Sequence, residues 1–189
     1  MLKNSKRFSG GFTLVELLVV IAILGILVTI GLTSFTSAQI RGRDAQRKSD
    51  LKQVSTALEL YYSDYGRYPA ASSGKIAGCT TVSAGPCDWG VITSEFTDNK
   101  TIYMKVVPGD PTTGANYYYR TVTVNSVDSQ GFQLYAKLEN SRDLNCLPDA
   151  ATGKPNCASP PTLPAGVTCG GSGSCNFSVT SSNVTATQE

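Results

Sequence analysis

Polar and apolar positions divide the chain into three regimes. Residues 12–32 form an apolar run of twenty-one residues with a single formal charge, Glu16. About 20 consecutive apolar residues make a helix long enough to cross a bilayer's hydrocarbon core, so the run predicts a membrane-spanning helix. From residue 33 to 66 the pattern stays helical but becomes two-sided. Leu51, Val54, Leu58, Tyr61, Tyr62 and Tyr65 recur at three- and four-residue spacing, with Arg47, Lys48, Asp50, Lys52, Glu59 and Asp64 between them as a solvated face. No proline interrupts this stretch, and Gly66 followed by Pro69 is a stop signal. The spacing predicts one helix from about Phe12 to Tyr65. Bending or local melting is expected at Gly25, Gly31 and Gly42, each about 1 kcal/mol worse than alanine in a helix interior.

The third regime is loop-rich. Residues 70–90 read as a loop carrying Cys79, Cys87 and the only tryptophan, Trp89; residues 91–107 fit a short helix or an irregular segment equally well. Gly109-Asp110-Pro111 and Thr113-Gly114 are turn signals. Residues 116–125 and 131–138 are rich in Tyr, Val, Thr, Phe and Leu with rough alternation, and predict two strands joined as a hairpin through 126–130. Past Asn145 the chain turns to Pro, Gly, Ser and Thr with one short apolar run, 176–180, and the last nine residues read as frayed. The fold class is α+β: a long N-terminal helix packed on a small antiparallel sheet.

Composition narrows the function. At 189 residues there is room for one modest domain beside the apolar helix. The net charge of +2 is carried by the first few residues. Without Lys3, Lys6 and Arg7 there are 13 basic against 14 acidic residues, a balance that does not suggest nucleic-acid binding. Those three cations flank the apolar run on one side, and Arg41, Arg43, Arg47, Lys48 and Lys52 follow on the other. Flanking charge alone therefore does not orient the span. All six cysteines lie after residue 78, which favours an oxidising compartment for the C-terminal part. Histidine is absent, which removes the commonest general base and argues against Ser-His or Cys-His hydrolases.

The sequence Gly10-Gly11-Phe12-Thr13-Leu14-Val15-Glu16-Leu17-Leu18 and the run it opens closely resemble the class III signal of type IV prepilins and type II secretion pseudopilins. The resemblance implies cleavage between Gly11 and Phe12 by a prepilin peptidase, and methylation of the new N-terminal Phe12. A secretory signal places its small-residue cleavage site after a short apolar region. Here the glycine pair precedes a longer one, so cleavage leaves the apolar segment on the mature chain. Residues 57–69 look like the helix end and following turn of pseudopilin-like pilins. Pro108-Gly109-Asp110-Pro111, with Tyr117-Tyr118-Tyr119 and residues 132–139, looks like their post-helix loop and hairpin.

The family's pilin fold implies five parts. They are a leader over 1–11, a transmembrane and filament-core helix over 12–32, its amphipathic continuation over 33–66, a globular head over 67–145, and a cysteine-containing segment over 146–189. It also implies a structural subunit with no catalytic residues and no cofactor. Its partners would be identical or related pilin subunits, the prepilin peptidase, an inner-membrane assembly platform, and the lipid bilayer before assembly. The N-terminus would start in the cytoplasm, and the chain would end in a surface filament. A type IV pilus subunit is the leading reading, a type II secretion pseudopilin the alternative. A signal-anchored extracytoplasmic binding domain or enzyme is the other class, and would need a convergent catalytic cluster.

Individual residues carry these expectations. Glu16 is a carboxylate inside an apolar helix, and such a group needs a partner or a proton. Phe12, one helical turn away, would supply an α-amino group after cleavage, and Glu16 of one subunit would neutralise the Phe12 amine of its neighbour. The cysteines have seven, ten and five residues between Cys79 and Cys87, Cys146 and Cys157, and Cys169 and Cys175. Of the 15 possible connectivities, the three sequence-local bridges are preferred, each contributing ~2–4 kcal/mol or less for such short loops. Asp110, Asp128 and Asp143, with Asp149, are the residues a calcium site would use. No EF-hand-like spacing supports one, and turn-forming aspartates account for them. The tyrosines read as packing between helix and sheet, and the basic stretch 41–52 as solvated or facing a neighbouring subunit.

Overall fold

The computed structural model describes residues 11–80, 84–170 and 174–188; Lys3, Lys6, Arg7 and Gly10 of the expected leader lie outside the described residues. Two compact units divide the chain, the first ending at Gln39 and the second beginning at Ile40. A single helix, α1 (Leu14–Tyr65), contributes to both. It is helical through Gly25, Gly31 and Gly42, where bending or melting was expected. A cost of ~1 kcal/mol at one residue does not open a hydrogen-bond ladder that continues on both sides.

In the second unit the helix buries one face. Leu51, Val54, Ala57 and Leu58 are all buried in a single core cluster with Phe132, Leu134, Ala136, Tyr117 and Tyr119. Asp50, assigned by spacing to the solvated face, is buried as well: it accepts a hydrogen bond from the Tyr117 hydroxyl at 2.8 Å. The helix stops where Gly66 takes a left-handed conformation (φ 66°) and donates its N–H to the Tyr62 carbonyl at 2.7 Å.

Two sheets follow. The first contains β1 (Ala71–Ser72), β2 (Lys75–Thr80), β3 (Ala84–Pro86), β4 (Phe96–Thr97) and β5 (Ile102–Met104), in the order β1-β2-β4-β5 with β3 also on β2. Residues 70–90 were expected to be loop, and 91–107, where β4 and β5 lie, a short helix or an irregular segment. Ser73 and Gly74, both at positive φ, make the tight turn joining β1 to β2. The register shift between Ala77 and Cys79 breaks the alternation that would have revealed β2.

The second sheet orders β6 (Tyr118–Val124), β7 (Val127–Ala136) and β8 (Phe177–Thr180), all antiparallel. The expected hairpin is present, but its turn is Asn125-Ser126 alone, with φ of 51° and 64°. β7 therefore starts at Val127, four residues earlier than expected. The run 176–180 supplies the third strand.

Alternation along β7 gives this sheet two covered faces. Phe132, Leu134 and Ala136 join the core with α1, while Tyr135 packs with Val167 and the Cys169–Cys175 bridge. Residues 181–188 are not frayed. The Gln133 amide donates to the carbonyls of Thr185 and Gln188 at 2.5 and 2.9 Å, and the Tyr135 hydroxyl to that of Ala186 at 2.5 Å. Val184 lies so close to Gly131 that a Cβ there would sit 2.2 Å from its Cγ2. The tail's polar composition concealed this docking, because backbone carbonyls do most of the work.

Candidate processing and assembly site

Residues 11–13 precede the helix, and Thr13 is its N-cap. Glu16 stands at the third helical position and closes a capping box. The Glu16 carboxylate accepts the Thr13 backbone N–H at 2.8 Å and its hydroxyl at 2.7 Å, and the Thr13 hydroxyl accepts the Glu16 N–H at 3.2 Å. The Thr-x-x-Glu spacing was the available signal for this arrangement. The peptide bond between Gly11 and Phe12 lies just outside the helix, and both residues are exposed.

Beyond the cap the helix presents an unbroken apolar surface. Every residue from Leu14 to Val28 is exposed, and the helix is long and apolar enough to cross a membrane. A bare apolar area of that extent is covered by lipid or by protein when the chain is at work.

In the second unit the basic stretch turns inward. Arg47 is 2% exposed and meets three carboxylates: Asp44 at 2.8 Å, Asp110 at 2.7 Å and Glu139 at 2.7 Å. It also donates to the Thr112 hydroxyl at 2.7 Å. Arg43 pairs with Glu139 as well. Asp44 in turn accepts the backbone N–H groups of Glu139 and Asn140 at 2.9 and 2.8 Å. Lys48 donates to both oxygens of Asp143 at 2.7 Å and to the Asn145 amide oxygen at 2.9 Å. Two turns of helix thereby fix the 110–112 loop, the end of β7 and the 143–145 loop.

The electrostatics follow from these contacts. The Arg43 guanidinium, helped by Arg47, holds the Glu139 carboxyl down at about 2 against an opposing contribution from burial. Burial also opposes ionisation of Asp143, but the Lys48 ammonium and the Asn145 N–H outweigh it and keep that carboxyl below its ordinary range. Burial pushes the Asp50 carboxyl up, only partly countered by the Tyr117 hydroxyl. The expected solvated or subunit-facing role of 41–52 is thus corrected for Arg43, Arg47 and Lys48, which hold the head's own loops; Arg41 and Lys52 are exposed.

The remaining candidates are placed as follows. Bridges join Cys79 to Cys87, Cys146 to Cys157 and Cys169 to Cys175. Asp110 is committed to Arg47, Asp143 to Lys48, and Asp128 accepts the Thr123 hydroxyl at 2.7 Å. Among the described residues no three His, Cys, Asp or Glu side chains converge as a metal would require. The tyrosines pack: Tyr61 stacks on Tyr65 and Phe96, and Tyr68 meets Phe132 edge-on.

Residues 6–32 match the family model described as the prokaryotic N-terminal methylation motif. Over 108 residues the chain is 32% identical to the type II secretion system core protein G of Pseudomonas aeruginosa, covering 56% of this chain and 70% of that protein. It is 41% identical over 58 residues to the type IV major pilin protein PilA of Myxococcus xanthus, covering 31% of this chain and 26% of that pilin. The fimbrial protein EcpC of Eikenella corrodens is 35% identical over 98 residues, covering 47% of this chain and 63% of EcpC. No solved structure matches the chain significantly.

Proposed function

The chain belongs to the type IV pilin and type II secretion pseudopilin family, and we propose that it is a structural subunit of a type IV pilus filament. The observation that carries this reading is the exposed apolar segment Leu14 to Val28 with one carboxylate at its start. Cleavage after Gly11 leaves Phe12 as the first residue, its amine methylated and still cationic. In the membrane Thr13 satisfies hydrogen bonds of the Glu16 carboxylate but leaves its charge uncompensated. In a packed bundle of helices the Phe12 amine of a neighbour supplies the missing charge. Any other axial stagger leaves an amine and a carboxylate unpaired in an apolar core, so this contact sets the register.

Two measurements test it. The protein from sheared surface fractions should begin at Phe12 and carry one extra methyl group by intact mass. Glu16→Ala should still insert and be cleaved, while recoverable filament falls at least about tenfold, the change that ~1.4 kcal/mol of lost subunit affinity produces. Normal filament yield from that variant would sink the role given to Glu16.

A second reading, a pseudopilin of type II secretion, is favoured by the extent of the matches to core protein G, 108 residues in one species and 106 in another. A processed chain absent from sheared filaments, whose deletion blocks protein export, would establish that reading instead.

A further inference from the structure

Four separate stretches of the head converge on a cleft of about 330 Å3: residues 73–75 at the β1–β2 turn, 88–91 just after Cys87, 116–118 leading into β6, and 168–170 around Cys169. Its walls are braced. The Cys79–Cys87 bridge ends one residue before Asp88, and the Cys169–Cys175 bridge is anchored within the opposite rim. Trp89 is half-buried, and its indole N–H donates to the Gly74 carbonyl at 3.1 Å. Tyr117 packs on it edge-to-face, with centroids 5.6 Å apart at 86°. With its one polar group committed, the indole offers the cleft only carbon. The floor is equally fixed: carbons of the Tyr118 ring lie 2.6 and 2.7 Å from where a Cβ on Gly74 would stand, so only glycine allows that ring its position.

Polar groups ring this aromatic wall. Lys75 and Asp88 pair across the rim at 2.5 Å, with side chains 37% and 54% exposed. An exposed pair of this kind contributes little, so both ends can be recruited by a ligand that hydrogen-bonds better. Asn116 and Thr168 add an amide and a hydroxyl.

We propose that this cleft binds a saccharide, one face of a sugar ring packing on Trp89 while its hydroxyls bond to Asp88, Lys75 and Asn116. The combination selects that chemistry. A phosphorylated ligand would find a single cation already neutralised by Asp88, and an acyl chain would have to bury a charged pair. The volume stands at the small end of the roughly 300–1,000 Å3 of ligand pockets, which suits one sugar ring or two. The proposal rests on the reading above only in that the head is displayed where glycans occur.

Trp89 is the only tryptophan, so its emission reports on this cleft alone. The full-length protein, in a zwitterionic detergent without a sugar headgroup, is titrated with glucose, galactose, mannose, N-acetylglucosamine, N-acetylgalactosamine and sialic acid. At least one should give a saturable emission change in the millimolar range. Asp88→Ala should raise the apparent Kd about tenfold or more with circular dichroism and filament yield unchanged, and Lys154→Ala, at an exposed lysine that does not line the cleft, should leave it as it was. No response from any sugar up to about 10 mM, ten times the scale of weak single-site binding, overturns the proposal. So does an identical response from Asp88→Ala. Loss of filaments in Asp88→Ala without any sugar response also overturns it, by making the cleft a subunit contact. A chain that binds sugar but is never cleaved after Gly11 would remove the filament reading and leave the cleft standing.

Discussion

The two halves of α1 share a backbone but meet opposite fates. From Leu14 to Val28 no side chain is covered, whereas Leu51, Val54, Ala57 and Leu58 are at most 3% exposed. The difference is in sequence pattern. Where apolar residues go all the way round a helix, no single sheet can cover them, and a surrounding phase or bundle must. Where they occupy one stripe, a small head suffices, and the other stripe is free to carry charge. What was not obvious is that this charge also docks. Arg47 is as buried as the leucines and ties two segments distant in sequence, the 110–112 loop and Glu139 beyond β7, to the helix.

The sharpest way to break the contrast is to remove that cation. Arg47→Met leaves Asp44, Asp110 and Glu139 crowded around an apolar group, and breaking a buried ion pair from one side costs about 3–5 kcal/mol. Chemical denaturation of the detergent-solubilised protein should show the midpoint falling with its slope unchanged, and an unchanged midpoint would deny Arg47 its place. A matched leucine pair comes next. Leu58→Ala should destabilise the head by about 2–5 kcal/mol, the range for a fully buried leucine. Leu17→Ala, in the bare half, should leave head unfolding untouched and act only on filament yield. Equal effects on head stability would erase the distinction between the halves.

The smallest effect is a pH dependence confined to the docked half. The Glu139 carboxyl is held at about 2 by Arg43 and Arg47, below its unfolded value of about 4.5. A depressed folded value contributes stability that is complete above pH ~4.5 and is lost as pH falls toward 2. Head stability should therefore decline over that window, and Glu139→Gln should flatten the decline. A decline of the same size in Glu139→Gln would assign it to other carboxylates.

Legibility in the sequence tracked the range of the interaction. The bare half announced itself through uninterrupted hydropathy, the Leu51-Val54-Leu58 stripe through its spacing, and the β6–β7 hairpin through Tyr, Val and Phe alternation. All are local signals. Arg47 and Asp110 are 63 residues apart, and nothing in either neighbourhood says that they meet. β2 was hidden by a bulge that breaks its alternation. The docking of residues 181–188 was hidden because Gln133 and Tyr135 grip carbonyls, which every residue has. At the candidate site the glycine pair, Phe12 and Glu16 were conspicuous. The Thr13 cap was equally readable from its spacing, but the charge of Glu16 in an apolar run drew attention away from it.

Each covalent loop in the head closes on the next cysteine along the chain, with separations of 8, 11 and 6 residues, and none encloses another. If the head leaves the membrane in chain order behind its anchor, as the proposed pilin reading implies, that order has a kinetic meaning. Every thiol meets its proper partner before the next pair has emerged, and closing so short a loop requires little search. The 14 wrong connectivities among 15 all require a thiol to wait for a later arrival. Oxidation during export can thus be fast and faithful without reshuffling, and the head is ready for assembly as soon as its last strand is out.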